Sequence, residues 1–277
     1  MNTLLGQPEK PTFGALLRHW RTSRRLSQLG LAVEAGISAR HLSFLETGRA
    51  QPSRDMVQLL AGMLDVPLAD RNAMLIGAGY APVYGERPLA GPELAHVRRA
   101  LEFMLRQSEP YPAIVLDGYH DIVMRNDASR RIMEIFRGPV PANRTINGLR
   151  TIFDPEGLRP FIANWEEMAE CLMQGLQRHI AETGHQALIT LREELLAYPG
   201  VPARLGTATA GSAEHPVINM HLKKGDLSLV FFSAMSFISR ARDITLQELK
   251  IEYFFPADAA TEQFTRRLAG TPETVAV

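Results

Sequence analysis

Between Leu26 and Ser53 the chain reads LSQLGLAVEAGISARHLSFLETGRAQPS, and no other stretch restricts its folding as strongly. Two short helix-forming segments are joined by AGIS alone, and so short a link holds the two helices side by side at a steep angle. Ser27 and Ser38 stand where N-caps belong, since a serine hydroxyl accepts from a free N–H of the first turn. Gly36 and Gly48 stand where helices end, because glycine tolerates the positive φ of a C-terminal cap. The helix between Ser38 and Gly48 has room for about three turns. At about 100° per residue Leu42 and Leu45 share one side, while Arg40, Ser43 and Phe44 gather on the other. The leucines can anchor to a core; the opposite face is offered outward.

The flanking sequence completes a small bundle. FGALLRHWRTSR places Phe13, Leu16, Leu17 and Trp20 at helical spacing, and SRDMVQLLAGML and PLADRNAMLIGAG add two helices after a Ser53 cap and at Pro67. The N-terminal part is therefore an all-α domain of five helices. The net charge of zero conceals an asymmetry: residues 1–54 carry eight Lys and Arg against three Asp and Glu, a net +5, whereas residues 81–277 carry 21 against 24, a net −3. A polyanionic partner belongs to the basic end. A tight glycine-containing turn before an outward-facing basic helix is what a DNA-binding helix-turn-helix needs.

On these residues the chain resembles the phage-repressor-like helix-turn-helix family called XRE, from about Phe13 to Leu75. The resemblance implies that the third helix enters the major groove of double-stranded DNA, which brings Ser38, Ala39, Arg40, Ser43 and Phe44 to the bases. Arg40 can donate two hydrogen bonds to guanine, Ala39 and Phe44 can touch a thymine methyl, and Ser43 can bond to base or phosphate. Gln28 at the start of the second helix, with Arg49 and Gln51 in the following loop, would hold phosphates. The match also implies an ion pair between Glu46 and Arg21 that locks the third helix to the first. Gly30 replaces the acidic or amide residue usual at its position, so the second helix lacks a capping-box partner. Two such units reading a near-palindromic operator require a homodimer.

Past residue 78, GYAPVYGERPLAGPE breaks the helical pattern. The expected organisation is a helix-turn-helix domain over 1–78, a linker over 79–92 and a second domain over 93–277. That domain opens on the helix ELAHVRRALEFMLRQ, followed by a hairpin from PAIVLDGY and DIVMRN around Gly118. Helices are expected at DASRRIMEIF, RPFIANWEEMAECLMQGLQRHIAE and QALITLREELLAY, then strands at PVINMHLKK, LSLVFFSAMSFIS and LQELKIEYFFPA. Strands at both ends with helices between them describe an α+β domain with an antiparallel sheet. YPAIVLDGYHDIVMRND, NGLRTIFDPEGLRPFIANWEEMA and ELKIEYFFPAD are similar to the ligand-binding domain of MmyB-like regulators. This implies a PAS-like domain that senses a small, apolar, fatty-acid-like molecule.

Phe153, Phe161, Trp165, Met168 and Phe231 are the candidate lining of such a ligand site, and the polar loop AYPGVPARLGTATAGSAEHP is a candidate lid. The same side chains would equally serve as core. The alternative reading is a repressor whose C-terminal domain only dimerises or binds another protein. No catalytic motif is present: GxSxG, a Walker loop, HExxH and CxxC are missing, so no enzyme activity, cofactor or metal site is expected. His179, His185, His215 and His221 read as surface or loop histidines, and Cys171, the only cysteine, as a buried apolar residue. The longest apolar run, LSLVFFSAMSF, falls well short of the roughly 18 residues a spanning helix needs, and nothing at the start of the chain reads as a secretion signal; a cytoplasmic protein without a membrane segment is expected.

Overall fold

The computed structural model describes residues 11–139, 145–205 and 218–270. Two compact units account for the chain: Met1–Glu86 with Arg240–Gln247, and Arg87–Ser239 with Glu248–Val277.

The first unit contains the five expected helices: α1 (Phe13–Ser23), α2 (Gln28–Glu34), α3 (Ala39–Glu46), α4 (Arg54–Met63) and α5 (Leu68–Gly77). Thr12, Ser27, Ser38 and Ser53 cap the first four, each side chain accepting from the N–H three residues on. Gly36 and Gly48 take φ of 65° and 73° and end α2 and α3. Leu17, Trp20, Leu31, Leu42, Leu45 and Leu60 fill the centre, each at most 2% exposed. Gly14 lets α1 touch the end of α3: a Cβ there would lie 2.5 Å from the Glu46 carbonyl oxygen and 2.7 Å from that of Leu45.

The second unit is α+β. In chain order it has α6 (Ala95–Gln107), β1 (Ala113–Leu116), β2 (Ile122–Arg125), α7 (Asp127–Arg137), α8 (Gly148–Phe153), α9 (Trp165–Thr183), α10 (Gln186–Ala197), β3 (Met220–Lys224), β4 (Leu227–Phe237), α11 (Ile244–Glu248), β5 (Lys250–Pro256) and α12 (Ala259–Leu268). The sheet is antiparallel in the order β2-β1-β5-β4-β3, and the helices α7 to α10 are inserted between β2 and β3. This is the α+β arrangement with an antiparallel sheet that the sequence predicts. The β1–β2 hairpin forms around Gly118 as expected.

Three local expectations need correction. The long helix does not run unbroken from Arg159: a 3-10 turn covers Arg159–Phe161, and α9 starts only at Trp165. The intervening residues are tied to β3, with the Ala163 N–H donating to the His221 carbonyl at 2.8 Å and the Asn164 amide donating to the Asn219 carbonyl at 2.8 Å. The last strand starts at Lys250 because Asp243 accepts from the Thr245 N–H and opens α11 instead. The short α8 and the C-terminal α12 were not foreseen; Asn147 and Asp258 cap them. The candidate lid falls largely at 206–217, outside the described residues, as does His215.

Candidate nucleic-acid interface and ligand site

The outward face of α3 is organised around Phe44. Its ring lies 5.2 Å from the Arg40 guanidinium and 6.0 Å from that of Arg49, so one aromatic residue holds two cations in position through its negative face. Arg40 and Arg49 are exposed, whereas Ala39, Ser43 and Phe44 are half-buried. Ser38 spends its hydroxyl on the α3 cap, accepting from the His41 N–H at 3.1 Å. A fixed aromatic flanked by two arginines is suited to an apolar contact with charged hydrogen-bond donors on either side.

Two of the expected phosphate anchors have internal partners. The Gln28 amide donates to Glu46 at 2.7 Å, and the Gln51 amide donates to the Ala78 carbonyl at 3.1 Å. Both reach back into the bundle and hold the elements that carry α3. The implied ion pair is present: Arg21 donates to the two Glu46 carboxylate oxygens at 2.5 and 3.0 Å and to the Leu26 carbonyl at 2.7 Å. Burial opposes the Glu46 charge, but the hydrogen bonds from Arg21 and Gln28 outweigh it and hold its carboxyl below the usual range.

In the second unit the five candidate lining residues are brought together, Phe153 and Phe231 as buried core and Phe161, Trp165 and Met168 half-buried against it. Phe153 and Phe231 are 0% and 1% exposed. Trp165 belongs to two apolar clusters at once, with Phe153 in one and with Phe161, Met168 and Phe231 in the other. Its indole N–H donates to the Ile152 carbonyl at 3.0 Å and its ring meets Phe153 edge-on at 5.8 Å.

The same sheet face is open further along. Cross-strand pairing puts Phe231, Met235 and Phe237 of β4 on the face that carries Lys250 and Glu252 of β5 and Ile114 and Leu116 of β1. The face is closed at Phe231 and over Ile114 and Leu116 of β1 but not over the end of β4, where Met235 and Phe237 are 48% and 62% exposed. Burial pushes the Glu252 carboxyl up, toward its neutral form, against a hydrogen bond from Ser233. Lys250 is lowered by burial despite the nearby carboxylates of Glu182, Glu248 and Asp117. Sequence reasoning missed this end; its signal is the pair of charges two apart, Lys250 and Glu252, on one face of an otherwise apolar strand.

Two histidines complete the polar group. His120 and His179 meet edge-on, ring centroids 6.0 Å apart, and His120 Nε2 and His179 Nδ1 are buried without a hydrogen-bond partner. His179 is thus not a simple surface residue, whereas His185 lies in the loop before α10, as expected, and stacks on Tyr119 at 6.2 Å. Burial lowers the His120 pKa to about 3, with Lys250 and His179 adding to the effect. Burial, then Lys250 and His185, lowers that of His179 to about 4. Each imidazole folds neutral and must gain a proton on acid unfolding, so its contribution is intact above about pH 6.5 and is lost as pH falls toward the folded values. Between pH 7.5 and 5.5 the wild type is expected to lose about 2 kcal/mol relative to the His120→Asn/His179→Asn variant, the His179 share being reduced for its partial exposure. Asp117 and Glu252, pushed up by burial, act in the opposite sense in both proteins and cancel in the difference. Urea unfolding at the two pH values measures it; a flat difference would show that both rings already titrate in water.

Cys171 is exposed rather than buried, because α9 turns Ala169, Met173 and Leu176 inward and Cys171 away from them. Among the described residues no helix is long and apolar enough to cross a membrane, and no group of His, Cys, Asp and Glu is placed to hold a metal ion.

A helix-turn-helix unit joined to an α+β sheet domain defines a DNA-binding transcription regulator with a ligand-binding domain. Residues 97–268 match the family model of the MmyB-like transcription regulator ligand binding domain, and the chain belongs to that family. Residues 12–74 match a helix-turn-helix domain. Both matched families are regulatory binding domains. No curated protein matches the chain. Among solved structures it is similar to the PAS domain from Bordetella pertussis BvgS, with 16% identity, a TM-score of 0.27, and coverage of 62% of this chain and 96% of that one.

Proposed function

We propose that the chain is a cytoplasmic, non-enzymatic regulator of the XRE type that reads a near-palindromic operator as a homodimer and adjusts its occupancy when the C-terminal domain takes up a small apolar, fatty-acid-like molecule. The observation that supports the DNA reading is the clustering of the Arg40 and Arg49 guanidinium groups on the ring of Phe44 on the outward side of α3. Arg40 reads sequence; Arg49 contacts phosphate; Ala39 and Phe44 supply apolar contacts, with Ser38 and Ser43 beside them. Gln28 and Gln51 act on DNA through the geometry they hold.

A duplex selected from a random-sequence pool with the wild-type protein supplies the probe. Arg40→Ala is expected to reduce discrimination against single-base variants of that duplex by about 10- to 100-fold, the worth of a bidentate arginine–guanine contact. Arg49→Ala is expected to weaken all sequences alike and to flatten the salt dependence. Equal effects of the two variants on every sequence would remove Arg40 from the readout.

For the ligand, the open end of the sheet face supports a molecule whose apolar body covers Met235 and Phe237 and continues toward Phe161, Met168 and Phe231, with Phe153 and Trp165 behind them. Its polar end would meet Lys250. Native mass spectrometry before and after solvent denaturation tests this. An adduct lost on denaturation gives the ligand by mass. A bare dimer, even after incubation with medium-chain fatty acids, would favour a domain used only for dimerisation.

A further inference from the structure

The segment between β4 and β5 does not fold with the sheet it connects. Residues 240–247 belong to the DNA-binding unit, although Leu227–Phe237 before them and Lys250–Pro256 after them are paired strands of the ligand domain. Asp243 bridges Gly85 in parallel, and the Ile244 N–H donates to the Gly85 carbonyl at 2.8 Å. Asp243 and Ile244 are 4% and 7% exposed.

Gln247 then performs a task that α5 cannot perform for itself. The N-cap of α5 is Pro67, which offers no side-chain acceptor, so the buried first residue, Leu68, has an N–H without a partner inside its own helix. The Gln247 side-chain carbonyl accepts that N–H at 2.6 Å. One turn along the same helix, Asn72 accepts from the Val83 and Tyr84 N–H groups at 2.9 and 3.1 Å and donates to the Tyr84 carbonyl at 2.7 Å, which seats the segment carrying Gly85. The start of α5, residues 83–85 and residues 243–247 therefore form one hydrogen-bonded assembly. Three residues beyond Gln247 the chain reaches Lys250, in the polar group with His120 and His179.

We infer that residues 240–247 are the element through which the ligand domain acts on the DNA-binding unit, with Gln247 as the positioning residue that caps α5 from outside its own helix. This rests on the proposed regulation of DNA binding. A displacement of β4 or β5 pulls on a segment that contacts the start of α5 through Gln247 and Gly85 through Ile244. It reaches the DNA-binding helices by covalent connection, and a flexible tether over 79–92 would not be needed for it. Coupling of this kind requires an element that both sites bias, and 240–247 is shared by sequence with one and by fold with the other.

Full-length protein serves for the test, with hydrogen exchange over residues 68–75 and affinity for the selected duplex as readouts. Gln247→Ala is expected to raise exchange over 68–75 about fivefold, as loss of a helix cap does, while Gln247→Glu, which keeps an acceptor, restores protection. Lys250→Met is expected to change duplex affinity at least threefold in the wild type and not at all in the Gln247→Ala background. Unchanged exchange in Gln247→Ala would overturn the capping role. A Lys250→Met effect that persists in that background would overturn the transmission. Should Lys250→Met fail to fold, two glycines inserted after Ser239 lengthen the β4 connection, and their effect on affinity must vanish with Gln247→Ala in the same way. If no duplex is selected at all, the DNA reading fails, while the exchange result still decides the cap.

Discussion

Replacing Glu46 by alanine is expected to destabilise the DNA-binding unit by about 3–5 kcal/mol, the cost of leaving one member of a buried ion pair without its partner. The side chains of Arg21 and Glu46 are only 10% and 3% exposed. Without Glu46, the guanidinium keeps one bond, to the Leu26 carbonyl, and the Gln28 amide loses its acceptor. A loss of that size is a large share of the roughly 5–15 kcal/mol that holds a domain folded. The pair also joins α1 to the end of α3, so DNA affinity should fall further than stability alone requires. Urea unfolding of the variant in a Trp165→Phe background, followed by Trp20 fluorescence, measures the first effect. A loss below about 1 kcal/mol would make the pair an ordinary solvated one. Replacing both partners by apolar residues of similar volume should cost far less than removing either, because neither charge is then stranded.

Trp165→Ala is expected to cost the ligand domain about 2–3 kcal/mol, below the roughly 3–5 kcal/mol usual for a fully buried aromatic because its ring is half-buried. Trp165 joins the cluster around Phe153 to that around Phe231, carries the Arg159 guanidinium 4.0 Å above its ring, and satisfies the Ile152 carbonyl. Its removal opens a void between α8, α9 and the sheet and strands that carbonyl. The chain has only two tryptophans, so the variant leaves Trp20 as the sole indole reporter and the two units can be followed separately. Circular dichroism gives the ligand-domain transition, and the Trp20 signal reports the DNA-binding unit. If instead stability is held within about 1 kcal/mol and a bound adduct disappears, Trp165 touches ligand and is not simply core.

These two residues also mark how far sequence could be read. The helix-turn-helix was legible because its signals are local. Ser38 and Gly48 bound α3, and a 3.6-residue period separates Leu42 and Leu45 from Arg40, Ser43 and Phe44. The order of strands and helices in the second domain was legible for the same reason. The start of α9 was not, since it depends on Asn164 and Ala163 pairing with residues 219–221, more than 50 positions later. Composition could not distinguish a core aromatic from a ligand-lining one. Phe231 and Phe237 lie on one face of one strand, and only the coverage of that face makes the first buried and the second exposed.

By itself the sequence determined the five helices of the first unit, the basic reading helix and most elements of the second unit, because caps, turns and periodicity act over a few residues. Only the tertiary structure decided which partner each polar side chain takes. Gln28 and Gln51 turn inward, the half-buried His120 and His179 meet edge-on, and Gln247 caps a helix 179 residues before it. Such pairings depend on which distant segments are brought within 3 Å of each other, and packing of the whole chain sets that distance where local propensity cannot.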